Sequence, residues 1–261
     1  MAIITLTTDL GTKDHYVGVV KGTILKNCPT ANIIDISHEI PPFNILQAAF
    51  TLKNSYQDFP EGSIHIIGVN PENNSTVHHL ALEHDGHFFI GSDNGIFSLM
   101  FDEKPKRIFE LNISGNEDAL TFPTKEIFCQ AACHLAKGGT LELIGRPTDE
   151  ILEKALYRAV SVGDIIRGMV IHFDHYGNII TNIEQTFFKA FGSNRDFVIE
   201  FRDGSYDINK ICKSYSEVVE GEKLALFSSS GLLEIAINKG NASRLLGIKN
   251  LDSIRIKFHD R

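Results

Sequence analysis

Residues 3–11 have the sequence Ile3-Ile4-Thr5-Leu6-Thr7-Thr8-Asp9-Leu10-Gly11, a β-branched run followed at once by a polar turn. The run predicts a buried strand from Ile3 to Thr7. In open α/β sheets, ligands bind beyond the carboxyl ends of the strands, and Asp9 follows such an end. A carboxylate there can accept hydrogen bonds from the two hydroxyls of a ribose, or it can merely close the turn. The residues alone favour neither alternative.

The first half of the chain continues with alternating helix-like and strand-like segments. Further buried strands are predicted at residues 32–36 and 63–69, and Asp85-Gly86 predicts a hairpin between two short apolar runs. Helices are predicted after three capping residues, Asp14, Asn44 and Thr124. This alternation predicts an N-terminal α/β domain with a largely parallel central sheet, residues 1–161.

The second half has a different pattern, because short apolar runs are separated only by turn residues. These runs predict strands at residues 165–173, 179–183, 197–201, 224–227, 232–237 and 253–258. No long helical period intervenes, apart from one or two turns at residues 241–246. The pattern predicts a smaller C-terminal β-barrel domain, residues 164–261, with the boundary near residues 161–164.

The composition of the 261 residues excludes several classes of protein. Twenty-five Lys and Arg against 33 Asp and Glu give a net charge of −8, which disfavours binding to the phosphates of nucleic acid. No apolar run approaches the length of a transmembrane helix, and the first residues lack the basic flank of a signal peptide. We therefore expect a cytoplasmic protein without a nucleic-acid or membrane partner.

Cysteine and histidine residues give little indication of a metal or redox centre. Cys129 and Cys133 do not form a Cys-x-x-Cys pair, and we expect them to be small buried side chains. His78 and His79 are adjacent, so they point to opposite faces of a strand, which disfavours a shared metal ion. The chain has no Gly-x-Gly-x-x-Gly, Walker A or Gly-x-Ser-x-Gly motif. We expect neither a metal nor a cofactor.

Two polar segments stand out in the second half. Residues 174–178, Asp-His-Tyr-Gly-Asn, combine a carboxylate, an amide and an aromatic ring, which suits a polar ligand with a flat base. The alternative is a hairpin closed by an Asx turn. Residues 228–231, Ser-Ser-Ser-Gly, offer hydroxyls and close backbone approach, or simply a turn.

Taken in order, segments along nearly the whole chain resemble the S-adenosylmethionine (SAM) hydroxide adenosyltransferases, the superfamily that also contains the bacterial fluorinase and chlorinase. The segments that carry the resemblance are residues 8–11, 14–18, 21–22, 34–43, 92–95, 174–178, 181–183, 230–238 and 240–242. The halogenase-type insertion after residues 69–70 is absent, so the chain is more similar to the hydrolase branch.

The resemblance implies a fold, an assembly and a reaction. Members have an N-terminal α/β domain and a C-terminal β-barrel domain and form homotrimers, with the ligand at the subunit interface. A nucleophile attacks C5′ of SAM and displaces the methionine sulfur. With water or hydroxide as the nucleophile, the products are adenosine and L-methionine.

The resemblance also implies roles for individual residues. Asp9 would hold the ribose hydroxyls, and Phe43 and Phe122 would enclose the ligand. Asp174 and Tyr176 would line the methionine and base region. The remaining matched positions are Asn178 at the adenine edge, Tyr215 stacked on the base, Ser229, Ser230, Ile237 and Lys239 at the adenine and methionine ends, and Glu234 as an acidic position of the hydrolase branch.

The chain departs from the family at the residues thought to position and activate water. The hydrolases' Asp, Arg and His are replaced here by Asn70, Val77 and Pro123, and the halogenases' Tyr and Thr by Asn70 and Asn73. An amide is not a general base, and the side chains of Val and Pro have no polar group. Asn70 and Thr124 remain as candidates to contact the water.

Three functions are therefore open. The first is hydrolysis of SAM to adenosine and methionine, for which His78, Lys125 and Glu126 are the candidates to supply the lost groups. The second is a catalytically inactive module that binds SAM or adenosine. The third and weakest is SAM-dependent halogenation.

Overall fold

The computed structural model describes residues 2–71, 78–113, 121–155, 157–193, 195–201 and 203–259. The chain forms two compact units, residues 1–155 and residues 156–261. The division falls a few residues before the boundary predicted near residues 161–164. A short strand at Val160–Val162 already belongs to the second unit, because it pairs with the strand that follows it.

The first unit is built from seven strands and four helices among the described residues. The strands are β1 Ile3–Thr8, β2 Asn32–Ser37, β3 Ile64–Gly68, β4 His79–His84, β5 His87–Ser92, β6 Arg107–Leu111 and β7 Gly145–Pro147. The helices are α1 Tyr16–Asn27, α2 Ile45–Lys53, α3 Ile96–Met100 and α4 Cys129–Ala136, the last preceded by a π-helical turn at Thr124–Phe128.

The seven strands form one sheet in the order β2-β1-β3-β5-β4-β6-β7. Strands β2, β1, β3 and β5 pair in parallel with one another, whereas the pairs β5–β4, β4–β6 and β6–β7 are antiparallel. The prediction of a largely parallel sheet is therefore only half right. The Asp85-Gly86 hairpin is confirmed, with both residues at positive φ, and it is this hairpin that makes β4 antiparallel to β5.

Both faces of the sheet are covered by helices, as an α/β layer requires. Ile4 and Ile66 point to the face covered by α1 and α4, whereas Ile67 and Phe89 point to the face covered by α2 and α3. Because both faces are buried, the ends of the strands are where this unit can present polar groups to a ligand.

Two of the three predicted helix caps differ from the structure. Asn44 caps α2 as predicted, because its side chain accepts a hydrogen bond from the main-chain N–H of Gln47. Helix α1 begins after His15 rather than Asp14 and has no side-chain cap. Thr124 lies inside its helical turn after Pro123, so it does not cap the helix either.

The second unit has eight strands and two helices among the described residues. They are β8 Val160–Val162, β9 Ile165–Phe173, β10 Ile179–Glu184, α5 Gln185–Gly192, β11 Asp196–Glu200, β12 Ile211–Cys212, β13 Lys223–Phe227, β14 Leu232–Ile237, α6 Ala242–Leu246 and β15 Ser253–His259. Helix α5 was not predicted. It packs Phe187, Phe188 and Phe191 against the core of the unit. The packing of these aromatic side chains therefore stabilises this short helix.

The strands of the second unit form a curled sheet in the order β11-β15-β9-β10-β14-β13-β12, with β8 beside β9. Its concave face holds a core that includes Ile183, Ile199 and Ile235. Among the described strands no pairing joins β11 to β12, so the sheet is a half-barrel rather than a closed barrel. No helix in the described part of the chain is both long and apolar enough to cross a membrane.

Candidate functional site

Asp9 lies directly after the carboxyl end of β1 and holds two loops. Its Oδ2 accepts hydrogen bonds from the main-chain N–H of Phe43 at 2.9 Å and of Asn70 at 3.2 Å. Both donors have positive φ, 66° for Phe43 and 45° for Asn70, which is costly for side chains larger than glycine. No donor among the described residues binds the other oxygen, Oδ1. One oxygen of Asp9 therefore organises the loops, and the other is available to a ligand.

Asn94 also holds the Asn70 loop. Its buried amide donates to the main-chain oxygens of Val69 and Asn70, each at 3.1 Å. Sequence reasoning did not give Asn94 a role in the site. Its position in Ser92-Asp93-Asn94-Gly95, directly beyond a buried strand, was the signal that could have identified it.

The two predicted aromatic residues of the first unit are exposed to different degrees. Phe43 is 68% exposed, so its ring can cover a ligand held by Asp9. Phe122 is partly buried and meets the ring of Tyr16 edge to face, with 5.5 Å between the centroids. Both positions suit apolar enclosure of a ligand.

Thr124 carries a buried hydroxyl without a partner in the described part of the chain. The side chain is fully buried and packs on Gly68, the last residue of β3. A Cβ on Gly68 would stand 2.8 Å from Thr124 Oγ1 and 3.2 Å from Thr8 Cγ2, so only glycine fits there. An unsatisfied buried hydroxyl is costly, and a small polar molecule would satisfy it.

The positions that replace the hydrolases' Asp, Arg and His lie in different surroundings. Asn70 is in the loop held by Asp9, and Pro123 is buried before the π-helical turn. Val77 and Asn73 lie outside the described residues. The three proposed substitutes already have partners: His78 contacts Glu110 at 2.9 Å, and Lys125 pairs with Glu126.

In the second unit, Asp174 and Asn178 close one turn between β9 and β10. Asp174 accepts the main-chain N–H of Asn178 at 2.8 Å and its side-chain amide at 2.9 Å. Asn178 is buried, and no described donor binds its amide oxygen. The Asx turn and the ligand interpretation are thus compatible, since the turn leaves that oxygen without a described donor while Tyr176 remains 74% exposed.

Helix α6 supports this turn. The main-chain N–H of Ser243 donates to the oxygen of Gly177 at 2.9 Å, and Asn241 caps the helix by accepting the N–H of Arg244. A Cβ on Gly177 would stand 2.1 Å from the Asn241 amide, and Gly177 has φ 85°. Sequence reasoning did not assign Asn241 to the site, although an Asn before a short helix is typical of a cap.

Tyr215 and Glu234 form a short hydrogen bond of 2.6 Å from the phenol to Oε1. Burial raises the pKa of Glu234 above its ordinary value, and the charge of Asp174 adds to this, while the bond from Tyr215 acts in the opposite direction. Burial and Glu234 likewise raise the pKa of Tyr215. Asp174, Tyr215 and Glu234 therefore form one acidic cluster, which suits a cationic ligand.

The remaining predicted residues divide between the two ends of β14. Ile237 lies at the end near the Asp174–Asn178 turn and lines a cavity of about 480 Å³ with Gly221, Gly240, Asn241, Arg244 and Leu245. Lys239 is exposed, has φ 54° and pairs with Glu220. Ser229 and Ser230 precede the opposite end of β14, roughly 17 Å away at the rise of an antiparallel strand. The structure does not bring these serines next to Asn178.

The cysteines lie outside these clusters. The four cysteines are free and buried, and burial raises the pKa of Cys133 to about 11. A thiol that stays protonated is a poor nucleophile and a poor metal ligand. Among the described residues, no group of three or more His, Cys, Asp or Glu side chains is arranged to hold a metal ion.

Two family models match the chain, one on each unit. The model described as the SAM hydroxide adenosyltransferase N-terminal domain matches residues 4–145. The model of the C-terminal domain of the same description matches residues 168–255. The two matches include every candidate residue of both clusters.

Relatives named as enzymes match along almost the full length. A protein of Methanocaldococcus jannaschii named (R)-S-adenosyl-L-methionine hydrolase is 34% identical, covering 98% of this chain and 96% of that protein. A fluorinase of Nocardia brasiliensis is 25% identical, covering 98% and 96%. The crystal structure of an uncharacterized conserved protein from Thermotoga maritima is 30% identical, with a TM-score of 0.87 over 98% of this chain and all of that one.

Proposed function

The chain belongs to the SAM hydroxide adenosyltransferase family, and on this premise we propose that it hydrolyses S-adenosyl-L-methionine to adenosine and L-methionine. The observation that carries the proposal is the 34% identity to a SAM hydrolase over 98% of the chain. Water forms a bond to C5′ of the ribose while the bond from C5′ to sulfur breaks. The electron pair leaves with the methionine sulfur, and the water loses one proton.

The first unit supplies the groups for the ribose and the water. Asp9 Oδ1 is free to accept the ribose hydroxyls, because Oδ2 takes both loop N–H groups. The unpaired hydroxyl of Thr124 can hold the attacking water, and Asn70 can orient it from the loop above Asp9. Orientation of this kind lowers a barrier without a strong base.

The second unit supplies groups for the base and the amino acid. The amide oxygen of Asn178 can accept a hydrogen bond from the adenine amino group, and Tyr176 and Tyr215 provide aromatic faces. The carboxyls of Asp174 and Glu234 favour a cation, as SAM is. Ser229, Ser230 and Lys239 are proposed to meet the ends of an extended ligand lying along β14.

We also propose a homotrimer in the cytoplasm, with the ligand site at the subunit interface and no cofactor. Four free cysteines support a reducing compartment, where disulfides are rare. Light scattering on a sizing column measures the assembly directly. A monomer at micromolar concentration would contradict it.

The experiment that tests the function is incubation of the purified protein with SAM, followed by chromatography of the products. Adenosine and methionine in equal amounts are expected, and the Asp58→Asn variant, at an exposed position of the first unit, serves as a control with wild-type turnover. If no adenosine exceeds the protein-free control, hydrolysis is excluded.

A second candidate is an inactive module that binds SAM or adenosine. It is favoured by the replacement of the hydrolases' water-activating residues at Asn70, Val77 and Pro123. Calorimetry separates the two functions, because binding without turnover supports the module. SAM-dependent halogenation is a weaker candidate. If incubation with SAM and a series of halides yields no 5′-halo-adenosine, halogenation is excluded.

A further inference from the structure

The Asn70 loop, Val69-Asn70-Pro71, is held through its main chain by side chains from the ends of three other strands. Asp9, after β1, accepts the N–H of Asn70 at 3.2 Å. The amide of Asn94, beyond β5, donates to the main-chain oxygens of Asn70 and of the residue before it, each at 3.1 Å. His79 Nε2, at the start of β4, lies 3.1 Å from the main-chain oxygen of the residue after it. Both main-chain polar groups of Asn70 and both neighbouring oxygens therefore have partners.

His79 is the donor in its contact with Pro71, because a main-chain oxygen can only accept a hydrogen bond. The ring is buried, at 4% exposed, and burial lowers its pKa, so the imidazole is neutral at neutral pH. The ring meets Phe128 edge to face, with 5.0 Å between the centroids. The bond to Pro71 therefore selects the tautomer with the hydrogen on Nε2.

Asn94 is itself held in place at the start of α3. Its Oδ1 accepts the main-chain N–H of Ile96 at 3.2 Å, and the residue is only 7% exposed. The preceding residue, Asp93, accepts the main-chain N–H of Leu152 on both carboxylate oxygens, at 2.8 and 3.0 Å. The amide of Asn94 therefore meets the Asn70 loop from a position that further hydrogen bonds maintain.

These contacts decide where the side chain of Asn70 points. Its backbone is left-handed, with φ 45°, a region that surrounding contacts must stabilise. Within the described part of the chain, no hydrogen bond occupies its side-chain amide. Asn70 follows Gly68 by two residues, so their Cα atoms are at most about 7.6 Å apart. Because the unpaired hydroxyl of Thr124 lies against Gly68, both groups proposed to contact the water lie at the end of β3.

We propose that Asn94 and His79 are positioning residues of the hydrolysis, which hold the Asn70 loop so that the amide of Asn70 meets the attacking water. This inference rests on the proposed hydrolysis. Each residue acts on the main chain of the loop rather than on SAM. An amide cannot take the proton of the water, so it contributes orientation, and orientation depends on how the loop is held. A chain without the hydrolases' Asp therefore depends on the alignment of this loop.

A double-mutant cycle tests whether Asn94 acts through Asn70. Asn94→Ser keeps an acceptor for the N–H of Ile96 but is too short to reach the loop oxygens. Asn70→Gly removes the amide, and glycine keeps the left-handed backbone. The control is Asn54→Ser, because the exposed Asn54 amide also donates to a main-chain oxygen, that of Phe50, at 2.8 Å. Turnover and the dissociation constant of SAM are measured for the wild type, the single variants and the double variant.

We expect Asn94→Ser and Asn70→Gly each to lower kcat by up to about 10²-fold, the effect of a misplacement of roughly 1 Å, with a much smaller change in SAM binding. The double variant should have the kcat of Asn70→Gly, because no amide is left for the loop to align. Asn54→Ser should turn over as the wild type does. Effects that multiply in the double variant, or wild-type kcat in either single variant, would overturn the inference.

Two variants of His79 give a test that does not depend on Asn94. His79→Gln places an amide donor near the position of Nε2 and keeps the bond to Pro71, whereas His79→Leu keeps an apolar side chain without a donor. We expect His79→Gln to retain most of the wild-type kcat and His79→Leu to fall several-fold below it, with similar SAM binding. Equal turnover in the two variants would overturn the role of His79 alone. A wild type that releases no adenosine would overturn this inference and the proposed function together.

Discussion

The carboxylate of Asp9 and the main-chain N–H of Phe43 are joined by a 2.9 Å hydrogen bond, although 34 positions separate them in the chain. The same oxygen also binds the N–H of Asn70. Both loops have left-handed backbone at these residues, so the carboxylate stabilises conformations that the chain would otherwise avoid. Asp9 thus has a structural role on one oxygen and a proposed ligand role on the other.

Two substitutions at Asp9 separate these roles. Asp9→Asn keeps an oxygen for the two N–H groups but turns a donor toward the ribose, so stability should hold while adenosine affinity falls about tenfold or more. Asp9→Ala should also lower the free energy of unfolding by about 1–3 kcal/mol, because two N–H groups lose their acceptor. Calorimetry and chemical denaturation measure both effects. Wild-type affinity in Asp9→Asn would show that Oδ1 does not hold the ligand.

A substitution at Gly177 tests the contact between the Asp174–Asn178 turn and α6. Alanine there meets the Asn241 amide and adopts a positive φ, so we expect a loss of stability and weaker SAM binding. Gly221→Ala is the matched control, because Gly221 has the same φ of 85° and no heavy atom within 4 Å of the added Cβ. Thermal unfolding should place Gly177→Ala below Gly221→Ala. Equal melting temperatures would contradict this prediction, because they would show that the Asn241 side chain moves aside without loss of stability.

Removal of the Tyr215 hydroxyl tests the acidic cluster of the second unit. Tyr215→Phe leaves the buried carboxyl of Glu234 without its donor, which should cost about 1–3 kcal/mol. Burial raises the pKa of Glu234, whereas the bond from Tyr215 favours its ionised form. Loss of the bond therefore costs more where Glu234 is ionised, and the penalty should grow as pH rises from 5 to 7. Urea denaturation at the two pH values measures this. Tyr157→Phe, at a 71% exposed position, is the control. A penalty that shrinks with rising pH would contradict the assignment.

His65 makes the fold sensitive to acid. The ring is fully buried, accepts or donates to Thr5 and His87, and stacks on Phe89 at 4.8 Å. Burial lowers its pKa to about 3. Between that value and the ordinary pKa of histidine, the unfolded chain binds a proton at this residue that the folded chain does not bind. Stability should therefore fall as pH drops below 6.5, by up to about 1.4 kcal/mol per pH unit. His65→Gln should flatten this slope, leaving the part due to the other histidines whose pKa is lowered by burial, among them His87. An unchanged slope would locate the acid sensitivity elsewhere.

The strands and the position of Asp9 were predictable because they depend on local patterns. β-branched runs mark β1 and β3, and Asp85-Gly86 marks its hairpin. The hairpin also implied that β4 is antiparallel, which the alternation of helices and strands obscured. Helix α5 was not predicted because it is short and is stabilised by three phenylalanines, whose packing depends on the tertiary structure.

The partners of the site residues were not predictable, because they come from distant parts of the chain. The family resemblance named Asp9 and Asn70, but the bond between them and the support from Asn94 depend on how β1, β3 and β5 align. The same holds for Ser229 and Asn178, which the strand register places at opposite ends of β14. His38 was part of a matched segment, yet its contact with Thr8 requires the folded sheet.

The central claim is that this chain directs water to C5′ of SAM, and it is tested most directly by turnover in water labelled with heavy oxygen. Mass spectrometry of the products should find the label in the 5′ oxygen of adenosine and none in methionine. Adenosine without the label, or no adenosine above the protein-free control, would contradict the account.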